Sequence, residues 1–367
     1  MKNNTMMSKI NQLFFELIQV SLGTRGCLSH TPSADEWGEL YSIAKKQSLV
    51  GVCFAGVQKL VGQRQEPPEM NYLTWMGMAA KIQQRNEVVN RQCVDLQKRL
   101  AADGFRTAIL KGQGVATNYD SLSLLRQSGD IDVWIEGGVR AVVGLAERLG
   151  QKAVVTEQHV DLDVFDGTEV EAHFIPSMLK SPFADWKLQR WFEEQSATQF
   201  EHKNEAGLCV PTTEFNLVFL LIHIYRHLFG EGVGLRQVMD YYMVLCNIQE
   251  VSEVSNVSSV LNSLGLMKFA GGLMYVVHEV FGLQREQMLC DPNERHGKFL
   301  LNEIMISGNM GHHDERLKEA QKGTRWQRFC VVTKHNMRLV SYYPAETLWA
   351  PFTRVKIWAW RKWNGWI

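Results

Sequence analysis

The sequence predicts an α+β fold, a mixed β-sheet core flanked by N- and C-terminal mainly helical regions. Two observations carry this. Apolar residues recur at helical spacing up to residue 103 and again from residue 206 onward, whereas between them short β-branched runs alternate with period two. Within that middle part the order reads β-α-β-α-β-β-β, which predicts a mixed sheet with helices on one side. The chain thus divides into a helical region at 1–103, a sheet core at 104–205, and a helical region at 206–367 that ends in a basic aromatic tail.

Each element has its own signal. "DEWGELYSIAKKQSLVGVCFAGVQKLV" and "YLTWMGMAAKIQQRNEVVNRQCVDLQKRLAADG" are helical, with Gly104 as the C-terminal stop of the second and Pro67 and Pro68 breaking the chain between them. "RTAIL" is a short apolar strand, and "QGVATNY" is a short helix after the Lys111-Gly112 turn. "IDVWI" alternates and is rich in strand formers, and "VRAVVGLAERLG" is a helix stopped by Gly150. "KAVVTE", "HVDLDVF" and "EVEAHFIP" read as strands, the last two joined through Asp166-Gly167, a hairpin signal. Helical patterns then return, with "SGNMGHHDERLKEAQKG" as an exposed connector before the tail.

Composition narrows the function classes. The 367 residues are 45% hydrophobic and 21% charged with a net charge of zero, so the chain is folded and its overall field does not announce a nucleic-acid binder. Seven cysteines without a CxxC spacing argue against a zinc knuckle or a disulfide framework and favour a reducing compartment. The N-terminus is amphipathic but lacks the uninterrupted apolar stretch of a signal peptide. The most apolar run, "FNLVFLLIHIYRHLF", is cut by His223, Arg226 and His227 well short of a membrane span. The expectation is a cytoplasmic protein with no membrane span.

The chemistry concentrates in "LKGQGVATNYDSLSLLRQSGDIDVWI", residues 110–135. Strand side chains alternate, so Asp130, Asp132 and Trp134 share one face while Ile131, Val133 and Ile135 face the core. Two carboxylates on one face at the start of a strand can ligate the same hard cation through oxygen. On the last strand Glu169, Glu171 and His173 share a face, and if that strand lies beside the Asp130 strand, Glu171 completes a three-carboxylate cluster. Such a cluster holds one or two Mg²⁺ (or Mn²⁺) ions against a nucleoside triphosphate. Gly112 ends a strand and opens a helix, where a phosphate can approach free backbone N–H groups.

The Lys-Gly turn, the short helix, "R…GDIDVWI" and the later "VEAHF" together resemble the polymerase-β-like nucleotidyltransferase superfamily, and more narrowly the bacterial family of uncharacterised nucleotidyltransferases. "QSLVGVCFAGVQKL", "LLIHIYRHLF" with "LRQVMDYYMVL", and "YYPAETLWAPFTR" extend the resemblance over most of the chain. The resemblance implies the nucleotidyltransferase fold and a metal-dependent transfer of a nucleoside monophosphate from an NTP, with release of pyrophosphate. The acceptor it leaves open: a small molecule, a nucleic acid or a protein side chain. It matches Asp130 and Asp132 to the paired metal ligands and Glu171 to the third carboxylate, which completes the site and can take the acceptor proton. Lys111 and Gly112 stand in place of the superfamily's Gly-Ser phosphate loop, so a lysine charge replaces a serine hydroxyl.

Other readings compete. A DxD pair also binds a divalent ion in glycosyltransferases, although a nucleotide-binding βαβ unit should precede it, and here helices do. A retained fold that binds NTP or a partner without catalysis is the other alternative. Glu169 competes with Glu171 on the same face. Arg126, four residues before Asp130, either contacts the triphosphate or braces the aspartates. His173 is either a packed strand histidine or a site residue, and Asp161 and Asp163 mark the polar face of a hairpin. His223 and His227 sit at zinc-ligand spacing but without the glutamate of HExxH, which favours a packed pair. Arg236 and Asp240, four apart on a helix, read as a local ion pair.

From Arg325 to Ile367 eight basic residues oppose Glu346 alone, formally +7, among six tryptophans. This tail can bind RNA, anionic lipid or an acidic partner. The simpler expectation is a helix that buries its tryptophans and exposes its charges.

Overall fold

The computed structural model describes residues 8–230, 232–311, 324, 330, 331, 333, 334 and 336–366. Residues 312–323 of the expected connector, and Arg325 and Arg328 of the tail, lie outside them.

The N-terminal helices α1 (Lys9–Leu22), α2 (Ala34–Lys46) and α3 (Val50–Leu60) lead into α4 (Glu69–Ala102). At 34 residues α4 is a rod roughly 50 Å long. Its first half buries Trp75, Ala79 and Ile82 in one apolar core, and its second half buries Val89, Cys93, Leu96 and Leu100 in another. A single helix therefore fixes the helical part and the sheet relative to each other.

The sheet contains β1 (Thr107–Leu110), β2 (Ile131–Ile135), β3 (Val154–Val155), β4 (His159–Phe165) and β5 (Thr168–His173), in the order β1-β2-β5-β4-β3. The β2–β5 pair is parallel and the others are antiparallel, so the sheet is mixed and the fold is α+β as the sequence predicts. Between β1 and β2 run α5 (Lys111–Ala116) and a 3₁₀ segment (Thr117–Leu125), and α6 (Gly138–Arg148) follows β2. The expectation of helices on one side of the sheet is corrected. Ile131, Val133 and Ile135 pack with α4 and α6, but Ala108, Leu110 and Trp134 on the opposite face belong to the large helical core. Trp134 lies 4.6 Å from Phe200 and 5.7 Å from Phe215, ring centre to ring centre. Period-two alternation separated the two faces but could not reveal that both were covered.

The covering helices are α7 (Pro182–Glu201), α8 (Thr213–Phe229) and α9 (Leu235–Cys246), followed by α10 (Val251–Ser263), α11 (Met267–Phe281), α12 (Glu294–Ser307) and the final α13 (Pro344–Trp363). α8 is apolar nearly all round, and 13 of its 17 residues are buried. A helix with so little exposed surface belongs in the middle of a domain. Among the described residues, no helix is long and apolar enough to cross a membrane.

α13 departs from expectation. It buries Glu346, Thr347, Ala350 and Thr353, whereas Trp349, Trp358 and Trp363 are exposed. Trp326 lies outside the described residues; of the tail tryptophans within them, Trp360 and Trp366 match the expected burial in part, packing beside the sheet core with Trp360 6.2 Å from Phe174. The physical reason is the chain between β5 and α7. The Lys180 N–H donates to Glu346 Oε1 at 2.8 Å, and the Thr353 hydroxyl donates to the Lys180 carbonyl at 2.7 Å. The helix turns polar residues inward to satisfy that backbone.

Burial pushes the Glu346 carboxyl up to about 7, against the Lys180 N–H and charge that favour its ionised form. The folded state therefore prefers Glu346 protonated. Its contribution to stability is full below the unfolded value of about 4.5 and is lost as pH rises through about 7. Glu346→Gln keeps the carbonyl acceptor and removes the titration. We expect it to raise the melting temperature at about pH 8, by the equivalent of roughly 3 kcal/mol at most, and to change little at about pH 5. Thermal melts of both proteins at the two pH values check this; a variant less stable than the parent at the higher pH contradicts it.

Candidate metal and nucleotide site

Strand pairing builds the site. β2 lies between β1 and β5, with Asp132 in register with Leu110 on one side and Glu171 on the other. The apolar Ile131 and Val133 hold the opposite face in the sheet core, so the pleat directs Asp132 to the face it shares with Glu171. Asp130 sits just before the strand. Oxygen atoms of Asp130, Asp132 and Glu171 lie within 4.8 Å of one another. Glu169 is exposed and outside this group.

Asp132 is 2% exposed. Its Oδ1 accepts from Lys111 Nζ at 2.7 Å and lies 2.9 Å from His173 Nε2. Lys111 follows Leu110, the register partner of Asp132, which explains how its ammonium reaches that carboxylate. The backbone there is unusual: Lys111 has φ 43° and Gly112 φ 36°. A lysine at positive φ is a strain of about 1–3 kcal/mol, and glycine is the residue that continues it at least cost. Gly114 has a different reason. A Cβ at that position would lie 2.2 Å from the Ile109 carbonyl oxygen, so α5 presses directly on β1. Both glycines of "LKGQG" are thus accounted for.

A polar chain runs across the strands. His173 Nε2 lies 3.2 Å from Glu171 Oε2, His159 Nδ1 lies 3.3 Å from the same oxygen, and His159 Nε2 lies 3.3 Å from Asp161 Oδ1. Burial opposes ionisation of Glu171, yet the hydrogen bond from His173 and the charge of Lys111 outweigh it and hold the carboxyl at about 2. For His173, burial works against the proton, but its bonds to Asp132 and Glu171 raise its pKa. Burial pulls His159 down to about 4. Lys111 stays charged because Asp132, Asp130 and Glu171 overcome the cost of its burial. His159, Glu171 and His173 form a second group whose ligand atoms come within 4.8 Å, sharing Glu171 with the carboxylates. Sequence reasoning left His173 undecided and gave no role to His159. His159 stands opposite His173 in the β4–β5 register, which no local pattern in the sequence signals.

Arg126 pairs with a carboxylate outside the group. It is buried, and its Nε and Nη2 donate to Asp240 Oδ1 and Oδ2 at 2.6 and 2.7 Å. The Tyr119 hydroxyl donates to the same carboxylate at 2.6 Å, and Asn86 of α4 donates to the Arg126 carbonyl at 2.6 Å. Arg126 therefore anchors the loop before Asp130 on α4 and α9. The expected Arg236–Asp240 pair is corrected by the same contacts, since the faces of Asp240 go to Arg126 and Tyr119. Arg236 instead donates to the Gln127 carbonyl at 2.9 Å, and its guanidinium would lie 3.6 Å from a Cβ at Gly129, next to Asp130. His223 and His227 stack edge to face with ring centres 4.3 Å apart. Burial holds His223 well below its ordinary range and His227 at about 3. Among the described residues they join no three-ligand group.

The sequence model of a family described as "Uncharacterised nucleotidyltransferase" matches residues 33–282, more than half of the chain. No curated protein matches it.

Removal of one partner from a buried ion pair leaves an uncompensated charge, a cost of about 3–5 kcal/mol. Asp240→Asn is therefore expected to lower stability in that range by chemical denaturation, and Arg236→Gln to cost less, because it leaves no carboxylate unpaired and removes a cation that burial already disfavours. Equal losses from the two variants would overturn the assignment of Asp240 to Arg126.

Proposed function

The chain belongs to the uncharacterised nucleotidyltransferase family, and from that premise we propose that it moves a nucleoside monophosphate from an NTP to a hydroxyl acceptor and releases pyrophosphate. The observation that carries this reading is the convergence of Asp130, Asp132 and Glu171 oxygens within 4.8 Å, beside a lysine and a reversed Lys-Gly backbone. Three hard oxygen donors fit Mg²⁺ or Mn²⁺, and these three residues would hold it. A divalent ion at such a site neutralises triphosphate charge and makes an acceptor hydroxyl easier to deprotonate.

The remaining roles belong to the chain itself. Lys111 brings a permanent positive charge to the place where phosphate oxygens would approach. Arg236 takes over the phosphate contact that the sequence suggested for Arg126, because it adjoins the Gln127–Asp130 loop while Arg126 is committed to Asp240. His173 orients Asp132 and Glu171 through one nitrogen, a supporting contact of the kind that fixes metal ligands. The His173 hydrogen bond and the Lys111 charge favour the ionised Glu171 carboxylate, the form that serves as a metal ligand.

Incubation of a cell extract with the protein and each NTP labelled at the α-phosphorus tests the reaction and finds the acceptor. Label is expected on one class of molecule, dependent on Mg²⁺ or Mn²⁺. Asp130→Asn and Asp132→Asn should each reduce transfer by at least about 10²-fold, the scale of losing a group that stabilises transition-state charge. Glu171→Gln should abolish turnover while keeping part of the NTP-dependent rise in melting temperature, and Glu169→Gln should do little. Transfer that survives in the Asp130→Asn/Asp132→Asn double variant would place the chemistry elsewhere. A metal- and NTP-dependent melting shift with no label on any acceptor would identify a binding module.

A further inference from the structure

α13 is amphipathic in the reverse sense. Leu348, Phe352, Val355 and Trp363 follow one another at helical spacing along a single stripe, 60%, 66%, 64% and 90% exposed. Trp349 and Trp358 flank the stripe at 37% and 54% exposure. Lys356 and Lys362 are exposed among them, with Lys362 Nζ 5.1 Å from the centre of the Trp358 ring. The one acid of the helix, Glu346, is buried on the opposite side. The face is therefore apolar and cationic with no carboxylate of its own.

A continuous exposed apolar stripe marks a place where the protein meets something else. We propose that this face of α13 lies on an anionic lipid surface, with its axis in the plane of the interface. Tryptophan with lysine is the combination that suits that boundary. The indole body enters the acyl edge, its N–H stays with the headgroups, and the ammonium pairs with lipid phosphate. RNA fits less well, because Leu348 and Val355 give bases no ring to stack on and would sit against phosphate. A second copy of the chain also fits less well. A two-fold contact would set the lysines of one stripe against those of the other with no acid between them. The proposal does not depend on nucleotidyl transfer.

Flotation of the full chain with phosphatidylcholine vesicles, and with vesicles that also contain phosphatidylglycerol, tests it without NTP or metal. The chain is expected to float with the anionic vesicles, weakly or not at all with the neutral ones, and with a blue shift in tryptophan emission. Phe352→Ser/Val355→Ser should weaken that binding by at least about tenfold while leaving the melting temperature unchanged, because both side chains are already in water. Lys356→Glu/Lys362→Glu should weaken it by at least about tenfold and abolish the preference for anionic vesicles, and it carries the test if the first variant fails to fold. Absence of flotation at low salt would overturn the proposal, as would flotation that neither variant affects. Poly-uridine binding without vesicle binding would identify the face as an RNA surface. A dimer lost in Phe352→Ser/Val355→Ser, with no vesicle binding in the parent, would identify it as a contact between copies.

Discussion

A carboxylate almost removed from water has to be compensated, and the structure is arranged around the compensation of Asp132. Burial of an unpaired charge costs far more than a domain can spare. Lys111 and His173 meet that demand from the two sides of β2. To deliver the ammonium, the chain leaves β1 through two successive residues at positive φ, the second of them a glycine, and α5 must then run against β1 closely enough to exclude a Cβ at position 114. To deliver the imidazole, β5 must lie parallel to β2 in the register that also sets Glu171 beside Asp132. The turn geometry after β1 and the register of β5 on β2 thus both serve one buried acid.

The second constraint is the Arg126–Asp240 pair. Asp130 does not lie within a strand, so its position depends on the loop that precedes it. That loop is fixed by two buried contacts, with Asp240 on the guanidinium and Asn86 on the carbonyls of Leu124 and Arg126. Side chains from α4 and α9, more than a hundred residues apart in sequence, thereby hold one aspartate of the group. The same pairing turns Arg236 toward the loop. Had the local i,i+4 pair formed, Arg126 would have been left buried without a carboxylate, which is the costlier arrangement. Arg236 is left with the Gln127 carbonyl, its Nε buried without a partner, while the carboxylate goes to Arg126 and Tyr119.

The sequence made the strand faces legible because period two is a local property. Asp132 on one face of its strand, and Ile131, Val133 and Ile135 on the other, followed from spacing alone, whereas Glu171 joined them only through the β2–β5 pairing. The Lys-Gly turn was also legible, as a break in pattern. What could not be read were the long-range choices. Nothing near Arg126 names Asp240 as its partner, 114 positions away. Nothing in "HVDLDVF" shows that His159 will face His173, because that requires the β4–β5 register. Coverage of the second face of the sheet was hidden for the same reason: Trp134 reads as a strand former, and its burial is supplied by Phe192, Phe200 and Phe215 from α7 and α8.

The tail shows a different limit. Helical periodicity identifies a stripe but carries no label for inside and outside. The usual assignment, apolar inward, holds where apolar burial is the strongest stabilisation available at the contact. For α13 the contact is the chain around Lys180, whose N–H and carbonyl have no strand partner and would be buried unsatisfied beneath an apolar face. Glu346 and Thr353 satisfy both, and an unsatisfied buried pair would cost about 2–6 kcal/mol in total. That is comparable to the gain from burial of two or three large apolar side chains, so polar groups can decide which way the helix turns. Once they do, the apolar stripe must face outward, and its exposure is a consequence of how the sheet's exit is closed. The same two contacts that anchor the helix therefore create the surface on its other side.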